Sequence, residues 1–467
     1  MKSSYERLVK SVPDYKVFLT VDEMDESTRQ LATEHPDCVK VFEAGRSREN
    51  HSILCLKIGD GPQNALIFGC PHPNEPIGSM LLEHFARSLA EDPELRKDLG
   101  FTWYIIKCWD VDGAKLNENW FKGPFTLRNY IGNIYRPAGF EQVDWTFPVD
   151  YKELHFHDVL PETKAMMNLI DDVKPRFIYS LHNAGFGGVY WYMSAPTTDI
   201  FEDLRKVPVK YKVPVHLGEP ESPAAPVFYP AIYGCLGIES AYDHMEKYGR
   251  NMKEYAKTMR TGNNSAAYAR SRHGSFTLLT ELPYFYDPRI EDQSPSDMLR
   301  KDAVIQKIEE GARISKGIID ILEMSKAYMD PGNHFKLAVE AFNSDRGSRQ
   351  AMLKMASENP EYARPATGAE KFDNLLVSKF YRAISCGMLV RANASELAEM
   401  DESGEQNVEK REALETALGR AKELFDEVVG DLEAKMNYQV VPIKKLVSIQ
   451  LECGLMVAEY LKAHPEV

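Results

Sequence analysis

Two histidines and two glutamates stand where three apolar runs of this chain end. Asn64 to Gly69 (NALIFG) leads into Cys70-Pro71-His72-Pro73-Asn74-Glu75, Arg176 to Leu181 (RFIYSL) leads into His182, and Ser275 to Thr280 (SFTLLT) leads into Glu281. His72 and Glu75 lie three positions apart in one tight loop, so both side chains can reach a single ion. His182 would complete three protein ligands and leave a fourth position for water, which separates a catalytic zinc site from a structural one. Zinc lowers the pKa of its water from ~15.7 to about 7, and a nearby carboxylate must take that proton and pass it to the leaving group. Glu281, flanked by Leu279 and Leu282, is the candidate for that base. Each residue alone has a plainer reading: HxxE arises often by chance, His182 alone suits a hydrogen-bonded loop, and Glu281 alone suits a strand-end salt bridge. Their occurrence in order, each at a strand end, favours the metal reading.

The elements that must position these residues follow from pattern. Short apolar runs at 63–69, 102–108 and 176–181 read as strands covered on both faces. A helix over 22–35 carries acidic residues at its N-terminal end, where the helix dipole favours them, and others follow Pro76 and span Glu162 to Val173. Strand–helix–strand order is the mark of an α/β sheet protein, and in an open sheet of that kind ligands bind at the carboxyl edge. Residues 110–160 and 214–234 read as long ordered loops that shape the site. From about Ser296 the texture is helical, with amphipathic helices at Lys371 to Leu397, Val408 to Met436 and Pro442 to Ala463, and a helix–helix loop at Glu399 to Gln406. The expected architecture is α/β, a mixed and mostly parallel sheet flanked by helices, with a C-terminal all-α extension. The expected division is a catalytic domain over 1–330 and a helical domain over 331–467.

Composition narrows the function classes. At 467 residues, with 43% hydrophobic and 27% charged residues, the chain is of ordinary globular type. No apolar run approaches the roughly 18 residues of a membrane span, and the polar start at Met1-Lys2-Ser3-Ser4 shows no secretory pattern. The net charge of −14, with no basic block, argues against nucleic acid. Seven scattered cysteines without a CxxC pair fit reduced thiols in a cytoplasmic protein. GxSxG and HExxH are both absent, which removes the serine-hydrolase elbow and the thermolysin-type helix.

Several of these stretches resemble the zinc metallocarboxypeptidase family, the carboxypeptidase A-like fold with its amidase relatives, over roughly residues 5–290. Glu43 to Glu49 (EAGRSRE) is similar to the family's segment before its metal strand. Gly69 to Pro76 (GCPHPNEP) is similar to its zinc motif, Asp110 to Gly113 (DVDG) to its NPDG turn, Ser180-Leu181-His182 to the strand of its second histidine ligand, and Ser275 to Leu282 to the strand of its general base. The resemblance implies one zinc per chain, held by His72, Glu75 and His182, with Glu281 as base. Tyr135-Arg136 resembles the family's Trp-Arg, which implies Arg136 as the group that polarises the scissile carbonyl. Arg128 is its rival, because the intervening loop differs in length. The family's Asn-Arg reader of a terminal carboxylate has no counterpart in Gln142 to Pro148 (QVDWTFP), and its mobile tyrosine has no clean match in Tyr255 or Tyr268.

Weaker signals complete the reading. Asn183, beside a ligand, either faces substrate or closes an Asx-turn. Gly185-Phe186-Gly187-Gly188 reads as a turn lining the site. His155 and His157 would share a face on a strand, although their loop setting favours ordinary polar residues. His273 has no fixed role. The expected activity is zinc-dependent hydrolysis of an amide in a peptide or N-acylated small molecule. The alternatives are an N-acyl-amino-acid deacylase of the aspartoacylase and succinylglutamate desuccinylase type, an amidase of cell-wall peptides, and a non-catalytic ligand-binding relative. The amphipathic helices of the extension suit a homodimer interface, solvated faces, or a cap on the site.

Overall fold

The apolar runs form the middle of one sheet. The computed structural model describes residues 2–344 and 348–467. Its main sheet has nine strands: β1 (Val39–Arg46), β2 (Ser52–Ile58), β3 (Gln63–Phe68), β4 (Phe101–Ile106), β5 (Phe177–Leu181), β6 (Tyr190–Met193), β7 (Val227–Tyr229), β8 (Ile232–Gly234) and β9 (Phe276–Glu281). Their order is β1-β2-β4-β3-β5-β9-β6-β8-β7. The central strands β4, β3, β5 and β9 run parallel, and antiparallel pairs flank them at β2–β4 and β9–β6. The sheet is therefore mixed with a parallel centre, as the sequence predicts.

Side chains of successive strand residues alternate between faces, and the core divides accordingly. Leu66, Phe68 and Ile178 join one apolar cluster, and Ala65, Ile67, Phe177 and Tyr179 join another. The helices that matter here are α1 (Val21–Glu34), α2 (Ile77–Glu91), α3 (Leu127–Asn133), α4 (Pro161–Val173), α5 (Phe201–Lys210), α6 (Arg300–Leu322), α7 (Ser378–Ser403), α8 (Val408–Lys435) and α9 (Ile443–Ala463). Thr20 caps α1 through a capping box with Glu23, and Pro161 opens α4 where its missing N–H costs nothing. Met166, Leu169 and Ile170 of α4 cover the first face. Met80, Leu81 and Phe85 of α2, with Leu446, Ile449 and Val457 of α9, cover the second.

The C-terminal helices differ from the expected layout in one respect. The boundary at 330/331 does not separate two cores, because Leu389 of α7 and Leu446 of α9 share a single apolar cluster with Ile67 of the central sheet. The last helix is a layer on the main sheet, in contact with β5, β9 and α2. Helix α7 also runs into the predicted loop at 399–406, ending at Ser403 where Gly404 adopts left-handed backbone at φ 69°. Among the described residues no helix is long and apolar enough to cross a membrane.

Close approach of α9 to the sheet depends on Gly454. A Cβ there would overlap the Tyr179 ring of β5, and Tyr179 donates its hydroxyl to the Gln450 carbonyl at 2.6 Å. Gly454→Ala is expected to cost about 1–3 kcal/mol, the usual range for overpacking a tight core. Chemical denaturation checks this, and a variant as stable as the parent would mean that α9 does not pack on Tyr179 in solution.

Candidate active site

Register alone brings the chemistry-bearing residues to one edge. Phe68 of β3 pairs with Ser180 of β5, and Thr280 of β9 pairs with Leu181. His182 and Glu281 are therefore the next residues on adjacent parallel strands, about 4.8 Å apart in backbone spacing. The chain leaves β3 through Gly69, where a Cβ would meet the Lys107 carbonyl at 2.7 Å. Cys70 follows in left-handed backbone at φ 46°, a strained conformation of the kind concentrated at functional loops. The turn closes with the Glu75 N–H donating to the His72 carbonyl at 3.1 Å, which directs both side chains to the strand edge.

His72, Glu75 and His182 converge there, with one candidate ligand atom from each within 4.8 Å of the others. All three are buried. His182 Nε2 hydrogen-bonds the Ser180 hydroxyl at 2.8 Å, leaving Nδ1 to face Glu75 Oε2 at 3.0 Å and Glu281 Oε1 at 3.7 Å. The other Glu75 oxygen meets Arg136 Nη1 at 2.7 Å, and Glu75 Oε2 also accepts the Asn183 N–H at 3.2 Å. The Arg136 guanidinium lies over the Trp145 ring at 5.6 Å, and the His72 ring meets the same indole at 5.6 Å.

Electrostatics match the geometry. Burial, with help from Arg136 and His182, holds His72 well below the ordinary imidazole range, so its ring is neutral and keeps a lone pair. Burial first, then the Glu221 and Glu75 charges, pushes Glu281 well above the ordinary carboxylate range, with Arg136 opposing. Asp144 lines the same cavity and is pushed up to about 6 by burial, although it accepts the Ser265 N–H at 2.7 Å. A divalent metal fits this donor set. Two imidazoles and a carboxylate share one edge, and the buried His72 Nδ1 has no hydrogen-bond partner among the described residues. Two histidines and one carboxylate with an open position are the ligands of catalytic zinc.

The structure sorts the remaining sequence candidates. Arg136 joins the cluster. Arg128 does not: it lies on α3 and pairs with Glu433 at 2.8 Å and with Asp426 of α8, so its role is to tie helices together. Asn183 lines the cavity, its Oδ1 accepting the Ile77 N–H at the start of α2 and the Tyr284 hydroxyl, each at 3.2 Å, while its buried Nδ2 has no hydrogen-bond partner among the described residues. His155 and His157 sit on an exposed hairpin, both against Asp150. His273 and Tyr268 bind Asp171, and Tyr255 stacks under Arg250. The Gly185–Gly188 turn lines the cavity through Gly185 and Phe186.

Sequence reasoning passed over Gln450. From α9, its buried side-chain amide donates to the His182 carbonyl at 3.2 Å and to the Thr280 carbonyl at 3.3 Å, bridging the ends of β5 and β9. It also passed over Trp145, whose only signal was its place in the stretch where a carboxylate reader was expected.

An open, partly parallel sheet whose carboxyl edge gathers His-x-x-Glu, a distant histidine and a further glutamate defines a metallohydrolase-type protein. A model of the zinc carboxypeptidase family matches residues 24–285, more than half of the chain. The chain belongs to the zinc carboxypeptidase family. It is similar to zinc carboxypeptidase A 1 of Anopheles gambiae, 30% identical over 126 residues, which covers 24% of this chain and 29% of that protein. It is also similar to carboxypeptidase A6 of Homo sapiens, 29% identical over 108 residues, covering 21% and 25%. The chain thus spans only a quarter to three tenths of the curated relatives it matches. Among solved structures, bovine thrombin-activatable fibrinolysis inhibitor aligns with 15% identity and a TM-score of 0.34, covering 56% of this chain and 86% of that one. Carboxypeptidase A of Helicoverpa armigera aligns with 14% identity and a TM-score of 0.34, covering 60% and 70%.

Elemental analysis of the purified protein should find about one zinc per chain, and His72→Ala should lose it, since removing one of three protein ligands leaves an incomplete site. Gln450→Leu should keep the fold but leave two buried carbonyls unpaired, costing about 1–3 kcal/mol. It should also weaken zinc affinity by about tenfold, the low end for loss of a supporting group. Zinc retained in full by His72→Ala would rule out this ligand set.

Proposed function

We propose that the protein is a zinc-dependent hydrolase of an amide bond in a peptide or peptide-like substrate, with one metal held by His72, Glu75 and His182. The observation that carries this reading is the placement of Glu281, 3.7 Å from His182 Nδ1 and across the ladder from it. Zinc in such a site acidifies a water and polarises a carbonyl.

The chain's own residues supply the remainder. Glu281, 3.7 Å from His182 Nδ1, is the carboxylate placed to take the proton of the attacking water and return it to the leaving nitrogen. Arg136 aims a fixed positive charge at the same edge, where negative charge develops on the carbonyl oxygen. Stabilisation of that kind is usually the largest single share of acyl-transfer catalysis. Trp145 holds the Arg136 guanidinium against its ring.

Two features bear on substrate. In the stretch that would carry an Asn-Arg reader, Thr146 is bonded to Thr163 at 2.6 Å and Phe147 is fully buried, and Asp144 and Trp145 are the residues that line the cavity. A free terminal carboxylate therefore has no reader on that loop. The cavity beside the cluster has a volume of 2130 Å³, beyond the ~300–1,000 Å³ of a typical small-ligand site, which favours a peptide over a small N-acyl amino acid. The seven unpaired cysteines suit a reducing, cytoplasmic setting.

Glu281→Gln should retain zinc and lose about 10²–10⁴-fold in kcat, and Arg136→Ala about 10²–10³-fold. Steady-state kinetics on a panel of blocked and unblocked peptide amides, run beside metal analysis, checks both. A zinc-replete Glu281→Gln protein with full activity would refute the mechanism.

A further inference from the structure

One wall of the cavity is built from tyrosines, and its geometry is set by strand register. Glu281 of β9 pairs with Tyr190 of β6, and Leu279 pairs with Tyr192. Tyr190 and Tyr192 are two residues apart, so they share the face that carries Glu281. Parallel β8 sets Tyr233 beside Tyr192. The three rings lie 5.5–6.4 Å apart, and all three line the cavity that holds the metal cluster.

Glu221 reaches this wall from the loop that precedes β7, the predicted loop at 214–234 being interrupted by β7 and β8. One of its carboxylate oxygens accepts the Tyr190 hydroxyl at 2.7 Å and the other accepts the Tyr192 hydroxyl at 3.2 Å. Its side chain is exposed within the cavity, and no Lys, Arg or His among the described residues forms an ion pair with it.

The loop that presents Glu221 is fixed in place. Two residues earlier, the Glu219 N–H donates to Asp373 Oδ2 at 2.7 Å. The Glu219 carboxylate is gripped by Arg300 Nε at 2.8 Å and Asn374 Nδ2 at 3.1 Å. Asp373 and Asn374 belong to a π-helical turn over Asp373–Val377, immediately before α7, and such turns recur at functional sites.

A carboxylate among aromatic rings, beside a second carboxylate, is a poor environment for a neutral or anionic ligand. A cation gains there from the carboxylate, which the two tyrosine hydroxyls hold in place. Bound there, it would also relieve repulsion between Glu221 and Glu281. We propose that Glu221, with Tyr190, Tyr192 and Tyr233, forms a subsite for a cationic group of the substrate, a primary amine or guanidinium close to the scissile amide. This inference rests on the amide-hydrolase reading and deepens it: the substrate is selected by an amine.

The test uses the full-length, zinc-replete protein and substrates that differ only in the residue flanking the amide: lysine, norleucine or glutamate. The parent should favour lysine over norleucine by about tenfold or more in kcat/KM, with glutamate poorest. Glu221→Gln, which keeps the shape, accepts one tyrosine hydroxyl through its oxygen and can donate its NH2 to the other hydroxyl oxygen, should bring the lysine-to-norleucine ratio close to one. A parallel titration calorimetry arm reads binding of N-acetyl-lysinamide against N-acetyl-norleucinamide, with no turnover needed. Absence of hydrolysis in every case, with lysinamide binding that Glu221→Gln abolishes, would refute the hydrolase reading and uphold the subsite. Equal handling of lysine and norleucine by the parent in both arms, or a preference unchanged in Glu221→Gln, would overturn the subsite.

Discussion

The constraint on which this structure depends is the burial of two carboxylates and two imidazoles at a single sheet edge. Glu75 and Glu281 are both almost removed from solvent, beside His72 and His182. Buried charge is costly unless paired and hydrogen-bonded, and every nearby element answers that need. Arg136 takes one Glu75 oxygen, the Asn183 N–H and His182 take the other, and Ser180 orients the second imidazole. The remaining demand, an unpartnered His72 Nδ1 in the same cluster as Glu75 and His182, is what a cation would satisfy. A site with that residual need is poised for chemistry, because perturbed titration and incomplete satisfaction collect where reactions occur.

Holding such a cluster requires a stiff frame, and the frame is more extensive than the parallel sheet. The last helix, α9, lies on the sheet and passes Gln450 between the ends of β5 and β9, so a residue near the C-terminus fixes the backbone of His182. The helices before it grip the loop ahead of β7: Asp373 and Asn374 precede α7, Arg300 opens α6, and all three bind Glu219. Tyr381 of α7 lines the cavity and donates to the Phe186 carbonyl in the glycine-rich turn. The helical region thus builds one side of the cavity, while the strand edge builds the other.

Much of this was legible in the sequence, for a physical reason. A buried parallel strand must be apolar throughout, so its end is marked by the first polar residue, and the parallel order then forces those ends to a common edge. The types and positions of His72, Glu75, His182 and Glu281 at strand ends, and an α/β sheet, follow from local pattern; the mixed strand directions follow from the family resemblance. The sequence also showed that no Asn-Arg pair stands in Gln142 to Pro148. Local pattern carries no information on which side chains meet across hundreds of residues. Arg128 and Arg136 look alike in sequence, and only packing of α3 against α8 sends the first to Glu433 while the second turns to Glu75. Gln450 reads as one more residue of an amphipathic helix until α9 docks on β5. Glu221 reads as a loop glutamate until the β9–β6 register raises two tyrosine hydroxyls to meet it. The sequence by itself determined the strand ends and the donor types. Tertiary structure alone decided the props, the charge partners and the aromatic wall, because these depend on long-range packing of helices and loops that no short-range periodicity encodes.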